Sequence, residues 1–192
     1  AEKNNCLPKI IIPVHYAGQS CDMKEIFRLS KIYEFSIIED ASHAIGAKYK
    51  NKSIGNCKYS DITVFSFHPV KIITTGEGGC LSTNNFDIYK KALELRSHGV
   101  IRSDKLKKKY GNWFYSMVRL GYNYRMPDIN ASLGISQLKK IKKFILKRKS
   151  IAKDYFQGFR NNKNIVLPFI ENFCDHSFHL FPIQIKFKEL KI

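Results

Sequence analysis

The chain has 192 residues, with 33 Lys+Arg against 16 Asp+Glu and a formal net charge of +17. Its 44% hydrophobic and 13% aromatic content excludes an intrinsically disordered chain, and only 11 Gly and 6 Pro exclude collagen-like and Pro/Gly-rich classes. The length allows one or two domains around a sizeable core, and no apolar run approaches the ~18 residues of a membrane helix.

The elements follow in chain order. Ile10–Val14 reads as a strand that ends in the turn-prone stretch His15–Gly18. Asp22 is placed to cap a helix whose apolar positions Met23, Ile26, Phe27 and Leu29–Ile32 recur at helical spacing. Phe35–Ile38 is a second apolar run, ending in Glu39 and Asp40. Asp61–Phe67 is a third, ending in His68 and Pro69, and Gly79–Thr83 is a fourth. Asn85 or Asp87 starts a helix that runs to about Ser97. Strands spaced by helices in this way predict an α/β domain with a largely parallel, buried sheet.

Residues 99–125 read as an irregular, aromatic loop. Pro127 and Asp128 open one long helix, with Leu138, Ile141, Ile145, Ala152, Tyr155 and Phe159 on a single stripe interrupted by Arg148. Eight lysines and arginines between 139 and 153 fill the rest of its circumference and read as a solvated face. A basic nucleic-acid-binding module would instead cluster its cations with exposed aromatics, so no nucleic-acid partner is expected. His179–Phe187 reads as a last strand. The five cysteines (Cys6, Cys21, Cys57, Cys80 and Cys174) form no Cys-x-x-Cys pair. They fit free thiols in a reducing cytoplasm, with no metal site.

In an open α/β sheet, ligands bind at the carboxyl ends of strands. Two such ends carry reactive residues here: Asp40 and His43 after one strand, Ser66 and Lys71 after another. An aspartate leaving a buried strand needs a cation or a strong donor. A lysine between Val70 and Ile72 is a candidate for the desolvation that makes an amine a nucleophile. A lysine and a carboxylate are the parts of a pyridoxal phosphate site. Each also has an ordinary reading, as a solvent-facing lysine and a turn aspartate. Gly76–Gly79 fits neither the dinucleotide nor the P-loop pattern.

The stretch Phe65-Ser-Phe-His-Pro-Val-Lys-Ile-Ile-Thr-Thr-Gly-Glu-Gly-Gly79 resembles the cofactor-lysine signature of the DegT/DnrJ/StrS sugar-nucleotide aminotransferases. Further matches follow in the family's order across nearly the whole chain. They include Pro13–Gln19, Glu39–Ala47, Lys50–Gly55, Arg96–Gly99, Leu120–Arg125, Asp128–Gly134 and His179–Phe181. The resemblance implies the aspartate aminotransferase-like fold of fold-type I pyridoxal phosphate enzymes, a three-layer α/β/α large domain followed by a small domain. It implies that 1–126 is the later part of the large domain, 127–160 a long interdomain helix, and 161–192 the start of the small domain. The chain then reads as an internal fragment, inactive alone.

The resemblance also implies roles. Lys71 carries the cofactor and moves protons; in related sugar dehydratases a histidine replaces it. Asp40 pairs with the pyridinium nitrogen, His43 flanks the ring, and Ser66 touches the phosphate. Asn123 reaches the cofactor phosphate of a partner subunit, which implies a homodimer with shared sites. His179 comes close to the substrate. The wording is most similar to the branch that aminates C4 of a UDP-linked 4-keto-6-deoxy-N-acetylhexosamine in pseudaminic acid synthesis, with L-glutamate as donor. Another keto-sugar nucleotide is the alternative within the family.

Overall fold

The computed structural model describes residues 6–187. Its main sheet has the order β1-β2-β5-β6. β1 (Ile10–Ile11), β2 (Ser36–Asp40) and β5 (Ile62–Ser66) pair in parallel, and β6 (Gly79–Ser82) runs antiparallel beside β5. The sheet is therefore mixed, with an antiparallel edge. Helix α1 (Met23–Tyr33) connects β1 to β2. No helix connects β2 to β5; that crossover carries the hairpin of β3 (Lys48–Tyr49) and β4 (Lys52–Ser53).

Asp22 does precede α1, but its carboxylate caps nothing; it accepts from the Tyr49 hydroxyl instead. Met23 on α1 is buried with Phe35, Ile37, Tyr49 and three alanines, Ala41, Ala44 and Ala47. Each large apolar side chain in such a core contributes about 1.5–3 kcal/mol. The alanines matter for position. Their small side chains let residues 41–47 fold into consecutive tight turns, with Ala44 N–H donating to Ala41 and Ala47 N–H to Ala44. Whatever projects between them is held by a packed backbone.

Helix α2 (Phe86–Arg96) is capped by Asn85, which accepts from the N–H groups of Asp87 and Ile88. The segment read as an irregular loop contains β7 (Val100–Ile101), α3 (Asp104–Tyr110) and β8 (Ser116–Met117). Ser103 caps α3 by accepting from Leu106 N–H, so a local signal existed beneath the aromatic content.

The single helix expected from Asp128 is two, α4 (Asp128–Leu138) and α5 (Ile141–Gly158). The break at Lys139–Lys140 serves two different docking directions. On α4, Asn130 donates to the carbonyls of Thr75 and Glu77, and Gly134 lies against Thr75. On α5, Ile145 packs on Gly46 and on the buried pair Ile72 and Ile73. Lys142, Lys143, Lys147 and Lys153 point to solvent.

The expected last strand is mostly irregular. β11 (Gln184–Ile185) pairs with β9 (Ile165–Val166), and β10 (Cys174–Asp175) pairs with β3. Among the described residues, no helix is long and apolar enough to cross a membrane.

Candidate active site

Asp40 is the last residue of β2 and Ser66 the last of β5. Two neighbouring strands therefore end side by side, and the reactive residues follow them. Ala41 N–H donates to Val64 across this edge, which fixes the start of the 41–47 turns. Asp40 Oδ1 accepts from Ser42 N–H at 3.0 Å, and the Ser42 side chain also favours the ionised carboxylate. Burial alone would raise the Asp40 pKa. The Ser42 bond and the charges of His43 and Lys71 outweigh it, and the carboxyl lies below its usual range.

Lys71 sits on a loop closed at both ends. Phe67 N–H donates to Gly78, and Thr75 N–H donates to Phe67. Ile72 and Ile73, both buried, anchor its middle. Lys71 is half-buried, with its own N–H on His68. The expected desolvating flank is one-sided, since Ile72 is buried but Val70 is 63% exposed.

His43 accepts from Ala17 N–H at Nδ1, at 3.3 Å. Its ring proton therefore sits on Nε2. Burial and then the charge of Lys71 lower its pKa against the opposing pull of Asp40. The His179 ring lies 4.6 Å from that of His43, between centroids. Burial, followed by His43, Lys71 and Arg148, pushes His179 down to about 4. Its Nδ1 is buried without a hydrogen-bond partner among the described residues. Both imidazoles are thus neutral near pH 7, and Asp40 is the anion of the cluster.

The structure brings Lys71, Asp40 and His43 into mutual electrostatic range, and His179 into range of Lys71 and His43. Ser66 stands at the adjoining strand end, its Oγ 3.4 Å from His68 N. Asn123 is elsewhere. It is exposed, bridges to Ser97 through its backbone, and no side-chain hydrogen bond joins it to the cluster.

Four contributors have no counterpart in the sequence reading of the site. Ala17 holds the His43 ring from a left-handed backbone at φ 59. Arg148 donates to the carbonyls of Phe178 and His179 at 3.2 and 3.1 Å. An arginine breaking an apolar stripe was the signal for it. His15 and Glu39 form a buried pair at 2.7 Å, 24 residues apart, which no local pattern announces.

The 17–18 turn and the 177–180 segment are laced together. Ser177 N–H donates to Gly18 at 3.1 Å and Leu180 N–H to Ala17 at 3.2 Å. Gly18 adopts φ +105, and a Cβ there would run into Ser177 Oγ and lie 3.0 Å from Phe178 N. Gly18→Ala is expected to destabilise the protein by roughly 1–3 kcal/mol, since both strain and a clash arise at one point. Thermal melting checks the size, and faster amide exchange at Phe178–Leu180 checks the place.

The match to known proteins agrees with this geometry. A model of the DegT/DnrJ/EryC1/StrS aminotransferase family matches residues 2–191. The chain belongs to this family. Its members are pyridoxal-phosphate-dependent aminotransferases of one α/β fold, and the chain spans about half the length of the curated relatives it matches. A UDP-4-amino-4,6-dideoxy-N-acetyl-beta-L-altrosamine transaminase of Campylobacter jejuni is 44% identical over 172 residues, covering 90% of this chain and 43% of that protein. The structure of Helicobacter pylori PseC, an aminotransferase of pseudaminic acid biosynthesis, matches with TM-score 0.84 and 34% identity, covering 94% of this chain and 47% of that one. A proposed sugar aminotransferase of Streptococcus pneumoniae, solved in a PMP form, matches with TM-score 0.82 and 31% identity over 93% of this chain and 49% of that one. Its PLP form matches with TM-score 0.79.

The residues present suit such a cofactor. An ionised carboxylate suits a protonated pyridine nitrogen. A neutral imidazole suits a ring face, and a half-buried lysine suits covalent attachment.

Proposed function

We propose that the whole protein carrying this chain is an aminotransferase that moves an amino group to C4 of a UDP-linked 4-keto-6-deoxy-N-acetylhexosamine, with glutamate as donor. The observation that carries this reading is the convergence of Lys71, Asp40 and His43 at the ends of β2 and β5. The sugar class rests on the Campylobacter relative and the Helicobacter structure.

Lys71, Asp40, His43 and Ser66 would hold pyridoxal phosphate. When bound, that cofactor supplies an electron sink for the pair left when a Cα–H bond breaks. Asp40 keeps a ring nitrogen protonated because its own carboxyl stays ionised. His43 supports a ring face, fixed by Ala17 N–H. Lys71 Nζ, as free amine, removes a proton from Cα of the donor and delivers one to C4 of the sugar. His179 stands beside His43 with a buried nitrogen suited to the substrate side. Ser66 offers its hydroxyl to the phosphate.

In this reading, residues 1–126 belong to the cofactor domain, 127–160 link it to the small domain, and the small domain begins after 160. Asn123 serves a partner subunit in a homodimer. Support comes from its neighbours, since Trp113, Leu120 and Ile129 are 76%, 84% and 84% exposed. Large apolar side chains left exposed on a single chain fit an interface between copies. The five free thiols fit a reducing cytoplasm.

The test supplies the whole protein with pyridoxal phosphate, 15N-glutamate and the UDP-linked 4-keto sugar. The expected product carries 15N at C4, detected by mass spectrometry. No transfer to any UDP-linked keto sugar, from any of a panel of amino acids, overturns the proposal.

A further inference from the structure

His15 and Glu39 take no part in the chemistry above, yet the structure buries both. His15 is 0% exposed, and its Nε2 donates to Glu39 Oε2 at 2.7 Å. Glu39 also accepts from the hydroxyl of Ser60 and from Thr63 Oγ1 at 3.1 Å. Burial alone would push Glu39 up; the bonds from His15, Ser60 and Thr63 hold it below its usual range. For His15, burial opposes a second proton, whereas the side chains of Cys21 and Glu39 favour one. The geometry decides against that second proton. Cys21 N–H donates to His15 Nδ1 at 3.2 Å, which requires a lone pair there. The ring is therefore singly protonated, on Nε2, and Glu39 carries the charge.

A buried charge is costly unless fully partnered, and an apolar pair would fill the same space. The location supplies the reason for keeping it. Glu39 precedes Asp40 in β2 and points to the opposite face of the sheet. The His15 backbone N–H donates to the Asp40 carbonyl at 3.0 Å, and Asp40 N–H donates to Pro13 at 2.9 Å. Two residues beyond His15, Ala17 N–H grips the His43 ring. One buried ring thus anchors a turn that holds the main chain of Asp40 and the side chain of His43.

We infer that the His15–Glu39 pair is a positioning device, which clamps the Val14–Gly18 turn to β2 and so fixes Asp40 and His43 relative to each other for the cofactor ring. This rests on the reading of those two residues as ring-holding groups. Neither His15 nor Glu39 touches the cofactor in it.

Glu39→Gln in the whole protein tests the inference, with Ile37→Val as a control that weakens the same strand without touching the pair. Cofactor affinity is read by titration with pyridoxal phosphate. Ring placement is read by the induced circular dichroism of the visible band, and stability by melting of the apoprotein. Glu39→Gln is expected to weaken affinity about 10- to 100-fold, the size found for outer partners of binding groups elsewhere, and to reduce the dichroic signal. Ile37→Val is expected to lower the melting temperature and leave both signals unchanged. If Glu39→Gln does not fold, Ser60→Ala, which removes only one donor to Glu39, is read in the same way with a smaller loss.

A folded variant that binds the cofactor with wild-type affinity and dichroism overturns the inference. Equal loss of both signals in Ile37→Val also overturns it, because general loosening would then explain them. Failure of the wild-type protein to bind pyridoxal phosphate overturns the functional reading instead, and so separates the two.

Discussion

Lys71→Ala, made in the whole protein, is expected to abolish the visible absorption of bound pyridoxal phosphate and to lower amine transfer by at least about 10³-fold. The size follows from the two duties placed on one nitrogen. Proton transfer by a positioned side chain alone is worth about 10²–10⁴-fold. Loss of covalent attachment adds to that. The substitution removes little else. The 67–78 loop is held by main-chain bonds between Phe67, Thr75 and Gly78 and by the burial of Ile72 and Ile73, none of which needs the Lys71 side chain. Melting of the apoprotein should stay close to wild type. A variant that keeps the visible band would remove Lys71 from the mechanism. Lys71→Arg should not rescue, because a guanidinium stays protonated and cannot accept a proton.

Asp40→Asn should leave the fold intact and lower transfer by about 10²–10³-fold, the usual cost of losing one fixed charge aimed at a reacting group. The amide can still accept from Ser42 N–H, so the 40–44 turn survives. What disappears is the anion proposed to keep a ring nitrogen protonated. Asp40→Glu should restore the charge but not the rate, since a displacement of about 1 Å can cost 10²-fold. Single-turnover transfer in the three proteins checks both statements. A rate for Asp40→Asn within a few-fold of wild type would show that no charge is needed there.

Much of this arrangement is legible in the chain, for reasons that differ by element. α2 could be read to within a residue or two because Asn85, one of its two candidate starts, is a local cap. The strand ends near Asp40 and Ser66 could be read because apolar runs stop there or one residue later. The division between α4 and α5 could not. Leu138 and Ile141 keep the apolar stripe in phase across Lys139–Lys140, so the pattern continues where the axis does not. α3 was hidden by composition, as its short, lysine-rich sequence has little apolar periodicity beyond the Ser103 cap. Among site residues, Lys71 and Asp40 stand in contiguous motifs. His15 and Glu39 meet only through tertiary pairing, and Arg148 looks like a flaw in a helix until its two carbonyl partners are known. Asn123 has its implied role on another molecule, which one chain cannot display.

The lacing of the 17–18 turn to the 177–180 segment also bears on how the molecule comes into being. Ser177 and Gly18 are 159 residues apart. Contacts that close so long a loop form late, since the entropy of closure falls due before any of their gain arrives. The main sheet, the alanine turns and the His15–Glu39 pair all lie between residues 10 and 82. A chain emerging from the ribosome can therefore assemble Asp40 and His43 early, while His179 joins them only when residues near 180 have left the exit tunnel. The order of synthesis is then the order of construction, with the sheet first and the wall beside His43 last.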